Sequence, residues 1–197
     1  FRKLISAGFT PRMIAALEAR VRTWAVAIVD RALERGECNF VHDLAYQLPM
    51  HMIADIVGVP ESDRAWLFDR ADVVLQSTDP ETYLTPYVRV AMPVEIYNYG
   101  KDLAAEKRRV PADDVWTILT QAEITQPDGT PTKLSEFELD QFFELLLLAG
   151  SETTRGAISS GLLAFHEHPD ELRRLHSDRT LLPTAVEEIL RWGAPVI

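Results

Sequence analysis

An acid and an alcohol stand next to each other in the middle of a long apolar stretch, Phe142–Arg155. The acid is Glu152, the alcohol is Thr153, and the small residues Ala149 and Gly150 precede them. A carboxyl group beside a hydroxyl group can pass protons to a bound reactant. Small residues let a flat ligand approach the backbone. The pattern therefore predicts a site for proton transfer on a helix that is apolar at nearly every other position.

The same stretch is a weak piece of helix. Four of its central residues are poorer helix formers than alanine, and together they lower helix stability by about 2–3 kcal/mol. These residues are Gly150, Ser151, Thr153 and Thr154. A weak point lets water or a side chain enter the hydrogen-bond ladder and bend the helix. The alternative interpretation is a close helix crossing in which the hydroxyls bond back to the preceding turn. Composition alone leaves both interpretations open.

A second pair of opposite charge, Glu188 and Arg191, lies three residues apart on one predicted helix face. A surface pair of this kind contributes about 0.2–0.5 kcal/mol. The other candidates are weaker. His166 and His168 point in different directions on a helix and have no third ligand nearby, so a zinc site is not expected. Cys38 has no glycine-rich context, and we expect it to be a packed thiol.

The elements that position these residues are predicted to be helices. Their starts are indicated by Thr10-Pro11 and by the capping box of Ser135 and Glu138. Hydrophobic periodicity predicts helices over residues 10–36, 43–57, 61–76, 79–109, 113–124, 135–166, a short one from 169, and 183–193. Pro93 is expected to kink or split the fourth of these. Pro127-Asp128-Gly129 predicts the turn of a small hairpin, and residues 38–41 are at most a strand fragment. The predicted class is mainly α, with one long central helix.

Composition disfavours several classes of protein. The 197 residues carry 20 Lys and Arg against 30 Asp and Glu, a net charge of −10, which disfavours nucleic acid as a partner. With 47% hydrophobic and 25% charged residues, the chain is neither disordered nor fibrous. Apolar runs such as Leu145–Ala149 are far too short for a membrane span, and no signal peptide is expected. A single cysteine cannot form an intrachain disulfide, so we expect a cytoplasmic protein. Because the apolar runs are short, we expect no membrane as a partner.

Two motifs, in this order along the chain, resemble the cytochrome P450 family. Ala149-Gly150-Ser151-Glu152-Thr153-Thr154 is similar to A/G-G-x-D/E-T in the long central helix of that family. Glu188-Ile189-Leu190-Arg191 is similar to the E-x-x-R of a later helix. Phe1–Ser6 with Phe9–Arg12 also resembles the helix whose arginine contacts a haem propionate. The stretch from Leu44 to Pro60 resembles bacterial soluble members.

The resemblance implies a role for each matching residue. Glu152 and Thr153 would be the acid–alcohol pair that delivers protons to dioxygen at the haem. Glu188 and Arg191 would be structural residues that support the haem-loop side. The remaining residues would contact cofactor or substrate: Leu145 and Leu148 on the porphyrin, Ala149 and Gly150 in the groove over the haem, Arg2 on a propionate and Val196 on the substrate.

The activity implied by the resemblance is that of a haem-thiolate monooxygenase. Such an enzyme inserts one atom of dioxygen into an apolar small-molecule substrate, here a steroid, a lipid or a terpenoid. Its electrons would come from a ferredoxin-type redox partner. The haem would carry out the oxidation, while the protein supplies the pocket, the proton path and the exclusion of water.

One part of the family pattern is missing from the sequence. The family's haem iron is ligated by a cysteine in a loop of the type F-x-x-G-x-x-x-C-x-G, which does not occur here, and the context of Cys38 does not match it. We therefore expect residues 1–197 to be the central helical portion of a single domain, without the N-terminal sheet region and the cysteine loop, and inactive alone. Two alternatives stay open: a non-enzymatic α-helical binding module with a P450-like core, and a helical scaffold whose polar helix centre serves packing.

Overall fold

The computed structural model describes residues 11–77, 79, 81–125 and 128–193. Within these ranges the chain forms α1 (Pro11–Arg35), α2 (Gln47–Val57), α3 (Glu61–Gln76), α4 (Pro86–Arg109), α5 (Val115–Gln121), α6 (Glu136–Glu167), α7 (Pro169–Ser177) and α8 (Leu182–Gly193). A π-helical turn, Phe40–Ala45, precedes α2, and a 3₁₀ turn, Arg179–Leu181, precedes α8. The strands β1 (Glu123–Thr125) and β2 (Pro131–Lys133) form an antiparallel hairpin. The predicted mainly α class, with a long central helix and a small hairpin, is confirmed.

The long helix α6 begins at a complete capping box, as predicted. The Ser135 hydroxyl accepts a hydrogen bond from the Glu138 backbone at 3.3 Å, and the Glu138 carboxylate accepts one from the Ser135 backbone at 2.8 Å. These bonds satisfy two backbone donors that the start of a helix leaves without partners. With 32 residues, α6 reaches α2, α3, α4, α7 and α8 and is the element around which they pack. Among the described helices, none combines the length and the apolar character that a membrane span requires.

The main core is built from α2 to α6. Its largest fully buried side chains are Trp116 of α5 and Phe143 of α6, whose rings meet edge-on with 5.4 Å between centroids. Gly100 permits the close approach of α4, because a Cβ there would lie 2.7 Å from Phe143 Cδ1. Other buried apolar residues in this core are Met50, Leu67, Ile96, Leu119, Leu139 and Leu147. Burial of each large apolar side chain contributes roughly 1.5–3 kcal/mol to folding.

The start of α2 differs from the prediction. A helix is predicted over 43–57, but the first residues of this range belong to the π-helical turn. The regular α-helix begins after Tyr46. Asn39 starts the turn, because its side chain accepts a hydrogen bond from the His42 backbone at 3.1 Å. Phe40 and Val41 already belong to this turn. The sequence allows at most a strand fragment over residues 38–41, and the structure has no strand there.

The helices α4 and α5 are also shorter than predicted. The N-cap of α4 is Thr85, whose hydroxyl accepts a hydrogen bond from the Val88 backbone at 3.3 Å, so this helix begins at Pro86 and not near residue 79. It continues through Pro93, which does not split it. The N-cap of α5 is Asp114, and the chain leaves the helix early enough for 123–125 to form β1. The predicted hairpin turn contains Gly129 with φ of 88°, a conformation that glycine adopts without strain.

Candidate functional site

One face of α6 is left open by the other described elements. Successive residues turn by about 100° around an α-helix, so Leu145, Ala149, Glu152, Gly156 and Leu163 share this face. Leu145 and Leu163 are 58% and 57% exposed. A Cβ placed at Gly156 would meet nothing within 4 Å. The open face of α6 is therefore mainly apolar, with small residues and one carboxylate in its middle.

The four residues predicted to face the haem lie on two sides of α6. Leu145 and Ala149 are exposed on the open face. Leu148 is half-buried and packs against the core. Gly150 turns toward α2, since a Cβ at this position would lie 2.9 Å from Ile53 Cδ1. Gly150 therefore faces α2, whereas the small size of Ala149 leaves space on the open face.

Each hydroxyl in the centre of α6 donates to a carbonyl of the preceding turn. The bonds run from Thr153 to Ala149 at 3.0 Å, from Thr154 to Gly150 at 3.1 Å and from Ser151 to Leu147 at 2.7 Å. This is the arrangement of the packing interpretation, and α6 is continuous across its weak centre. A hydroxyl that donates one hydrogen bond still has lone pairs that accept. Thr153 can therefore also accept a hydrogen bond from the open face.

The Glu152 carboxylate is bound by an arginine of its own helix. Arg155 Nη2 donates to Glu152 Oε1 at 2.7 Å and lies 2.6 Å from Oε2. The Oε2 atom has no exposed surface and accepts no hydrogen bond, although the side chain as a whole is 46% exposed. The hydrogen bonds of the described residues do not join Glu152 to Thr153. The predicted acid and alcohol are therefore neighbours on α6 whose side chains each have another partner.

Arg155 also connects α6 to α3 and to the residue between the π-helical turn and α2. Its Nη1 lies 3.7 Å from Asp72 Oδ1 on α3, and its guanidinium carbon lies 5.9 Å from the centre of the Tyr46 ring. The buried Tyr46 hydroxyl donates to the Phe68 carbonyl at 2.7 Å, and burial raises its pKa above the ordinary value. Sequence reasoning missed Arg155. The one local signal was its spacing of three residues from Glu152.

Glu188 and Arg191 form a bidentate ion pair on α8. Arg191 Nε and Nη2 donate to the two carboxylate oxygens of Glu188 at 2.7 and 2.6 Å. These hydrogen bonds lower the pKa of Glu188 and raise the pKa of Arg191. Within the described residues the two side chains are 57% and 66% exposed, and Glu188 lines a cavity of about 390 Å³ together with His168 and Trp192. Their role as structural support for the haem loop stays a prediction.

Cys38 is exposed, so the prediction of a packed thiol is wrong. It follows Gly36, which leaves α1 with φ of 78°, and lies in the loop before the π-helical turn, where backbone and side chains meet solvent. Arg2 and Val196 lie outside the described residues, so their contacts with a propionate and with substrate stay predictions. In the part of the chain that the structure describes, no group of three His, Cys, Asp or Glu side chains could hold a metal ion.

The chain is similar to curated cytochrome P450s along nearly its whole length. It is 43% identical over 195 residues to a Mycobacterium tuberculosis protein named as cytochrome P450 126, and the match covers 98% of the chain and 47% of that protein. It is 40% identical over 195 residues to the steroid C26-monooxygenase of Rhodococcus jostii, with coverage of 99% and 39%. The chain thus spans less than half the length of these relatives. No protein-family model matches it.

A solved structure shows the same helical arrangement. It is that of a Mycobacterium marinum cytochrome P450 in complex with pseudoionone, which superposes with a TM-score of 0.84 at 36% sequence identity. The superposition covers 97% of the chain and 46% of that structure. The similarity in sequence and in fold therefore extends over both motifs, Ala149–Thr154 on α6 and Glu188–Arg191 on α8. By sequence and by fold, the chain belongs to the cytochrome P450 family.

Proposed function

We propose that the whole protein is a haem-dependent monooxygenase that inserts one atom of dioxygen into an apolar substrate. The observation that carries this proposal is the open face of α6, where Glu152 and Thr153 adjoin an uncovered apolar surface. Membership of the cytochrome P450 family and the name of the steroid C26-monooxygenase relative support it. Because the relatives are more than twice as long, the proposal concerns the whole protein.

The residues of the open face fit a flat apolar cofactor. Leu145 presents an exposed apolar side chain, and Ala149 and Gly156 leave room for a planar ring. Leu145 and Ala149 would hold one face of the haem, with Leu148 and Gly150 packed behind them. The iron-ligating cysteine would come from outside these 197 residues, since Cys38 is in an exposed loop and not on α6. When bound, the haem supplies the activation of dioxygen and the oxidation of the substrate.

Glu152 and Thr153 would move protons along the open face. The Glu152 side chain is 46% exposed, so it can exchange protons with water. Thr153 Oγ1 carries a proton that it donates to the Ala149 carbonyl at 3.0 Å, and rotation about the Cβ–Oγ1 bond turns this proton toward a bound reactant. Leu145 and the other apolar side chains would keep bulk water from the reactant. Proton transfer by a positioned acid accelerates a reaction by about 10²–10⁴-fold.

We further infer the class of substrate and of electron donor. An apolar substrate such as a steroid, a lipid or a terpenoid suits the apolar character of the open face. The steroid C26-monooxygenase relative and the related structure with pseudoionone support this class. Electrons would come from a ferredoxin-type redox partner, and residues 1–197 would be the central helical portion of a single catalytic domain. A cytoplasmic location is proposed as well, and the exposed Cys38, which forms no disulfide within the described residues, agrees with it.

The test compares two threonines of the same helix in the whole protein. Thr153→Ala should leave haem content and substrate affinity nearly unchanged, while product formed per NAD(P)H consumed falls severalfold and peroxide appears instead. Thr154→Ala is the matched control, because Thr154 makes the same kind of bond to the preceding turn, at 3.1 Å. It should change neither quantity. Glu152→Gln keeps the shape and removes the acid, so turnover should slow roughly 10²–10⁴-fold.

Wild-type coupling in Thr153→Ala together with wild-type turnover in Glu152→Gln would refute the proposal. The hydroxyls would then serve helix packing alone, to which their bonds with the preceding turn are also suited. The non-enzymatic α-helical binding module would become the better interpretation of the chain.

A further inference from the structure

One guanidinium group lies between carboxylates of two different helices. Arg155 Nη2 is 2.7 Å from Glu152 Oε1 and 2.6 Å from Oε2, both on α6. Its Nη1 is 3.7 Å from Asp72 Oδ1 on α3. Arg155 and Asp72 are mostly buried, with 21% and 20% of their side chains exposed. A single positive charge therefore serves two carboxylates, and at present it favours Glu152.

The present contact restricts what Glu152 can do. Both of its oxygens are drawn toward one nitrogen, and Oε2 has no exposed surface and accepts no hydrogen bond. A carboxylate bound by a guanidinium is held in one orientation. Glu152 can therefore turn its oxygens toward a reactant only when Arg155 moves away from them.

Asp72 is placed to receive the guanidinium. Its Oδ2 is held by Gln76 Nε2 at 2.6 Å, which leaves Oδ1 directed toward Arg155. Shortening the 3.7 Å separation from Nη1 to hydrogen-bond length requires a movement of about 1 Å. The Tyr46 ring, 5.9 Å from the guanidinium carbon, stays within range of the cation and is fixed by its bond to the Phe68 carbonyl.

We infer that Arg155 is a positioning residue that exchanges between Glu152 and Asp72. On Glu152 it holds the acid in the resting orientation, and on Asp72 it releases the acid for proton transfer. This inference rests on the proposed function of Glu152. Since Asp72 belongs to α3 and Glu152 to α6, the position of α3 against α6 decides whether the acid is available.

The kinetic experiment uses the whole protein and two variants with opposite expected signatures. Arg155→Gln frees Glu152 without orienting it, so product per NAD(P)H should fall about two- to fivefold while NAD(P)H oxidation continues. This fold-change corresponds to the free energy that a partly exposed ion pair contributes. Asp72→Asn removes the alternative partner and leaves Glu152 held. It should lower kcat about two- to fivefold with KM and product per NAD(P)H unchanged. Arg155→Lys, which keeps the charge, should recover part of the coupling.

Two further measurements separate positioning from simple structural support. In the Glu152→Gln background, Arg155→Gln should cause no additional loss of coupling, because the residue through which it acts is already changed. A crystal structure of Glu152→Gln should show Arg155 Nη1 within about 3 Å of Asp72 Oδ1, which requires no activity measurement. Losses that add in the double variant, or a guanidinium that does not move in the crystal, would overturn the inference.

The failure of this inference is distinguishable from failure of the proposed function. Wild-type turnover in Glu152→Gln alone would refute the role of the acid, and the role of Arg155 with it. Slow turnover in Glu152→Gln combined with wild-type coupling in Arg155→Gln would overturn only the exchange of Arg155. The pair would then be an ordinary intrahelical ion pair.

Discussion

Replacing Gly100 with alanine should destabilise the protein, even though alanine is the better helix former. Within α4 the substitution by itself would stabilise the helix by about 1 kcal/mol. The new Cβ, however, would lie 2.7 Å from Cδ1 and 2.8 Å from Cγ of Phe143. Phe143 is 1% exposed and its ring packs against Trp116 and Tyr99, so it has no space into which to move. Overpacking costs about 1–3 kcal/mol, and contact with the ring's attachment atom favours the upper part of that range. We expect a net loss of about 1–2 kcal/mol.

Gly150→Ala is the matched control for this prediction. Its Cβ would lie 2.9 Å from Ile53 Cδ1, the end of a flexible side chain that borders an apolar groove and can rotate away. This variant should keep its stability or gain up to about 1 kcal/mol. The assay is urea unfolding of the whole protein, with the free energy of unfolding of each variant compared with wild type. A Gly100→Ala protein as stable as Gly150→Ala would refute the close packing of α4 on Phe143.

Two other predictions concern titratable groups near the core. His51 stacks on Trp24 and meets Phe68 edge-on, and this burial lowers its pKa from 6.5 to about 4. The folded state therefore favours neutral His51. The protein has its full stability at a pH above the pKa of His51 in the unfolded chain, and it loses stability as the pH falls toward the lower pKa of His51 in the folded chain. His51 should make the wild-type protein about 1–2 kcal/mol less stable at about pH 4.5 than at about pH 7, and His51→Phe should lack this part of the loss. The same loss of stability in His51→Phe as in wild type would contradict this account. Asp114→Asn keeps the cap of α5 but leaves Lys107 Nζ, 2.5 Å from Asp114 Oδ2, without its charged partner. Urea unfolding should show a loss of about 1–3 kcal/mol for Asp114→Asn and about 1 kcal/mol more for Asp114→Ala, and equal losses would argue against the cap.

Helix ends could be predicted where the sequence contains a complete local signal. The capping box at Ser135 starts α6, and Gly58, with φ of 73°, ends α2. The start of α4 shows the limit of such signals. Asp79 and Thr85 are each an N-cap residue followed by proline, and the choice between them depends on where α4 packs against α3 and α6. The exposure of Cys38 depends in the same way on what neighbouring elements cover.

The chemical types at the site could be predicted from the sequence, but their partners could not. Glu152 and Thr153 follow one another in the chain, so the acid and the alcohol were visible at once. An apolar run such as the one around Leu145 does not reveal which side of the helix stays open. The approach of Asp72 to the site depends on how α3 packs on α6, a contact between residues far apart in sequence. Local spacing indicates pairs within one helix, whereas contacts between helices need the fold.

In the proposed function, the bond of Thr153 to the preceding turn and its role in proton transfer are compatible. The Ala149 carbonyl accepts the Thr153 hydroxyl at 3.0 Å, and within the continuous helix α6 it also accepts the backbone N–H four residues on. When the hydroxyl hydrogen turns away, the carbonyl keeps its backbone partner, so the cost is one hydrogen bond, about 0.5–1.5 kcal/mol. A rate effect of about 10²–10⁴-fold corresponds to roughly 3–5 kcal/mol, which exceeds that cost. In the proposed function, the bond that stabilises the weak centre of α6 at rest can therefore be broken at small cost when the Thr153 proton turns toward a reactant.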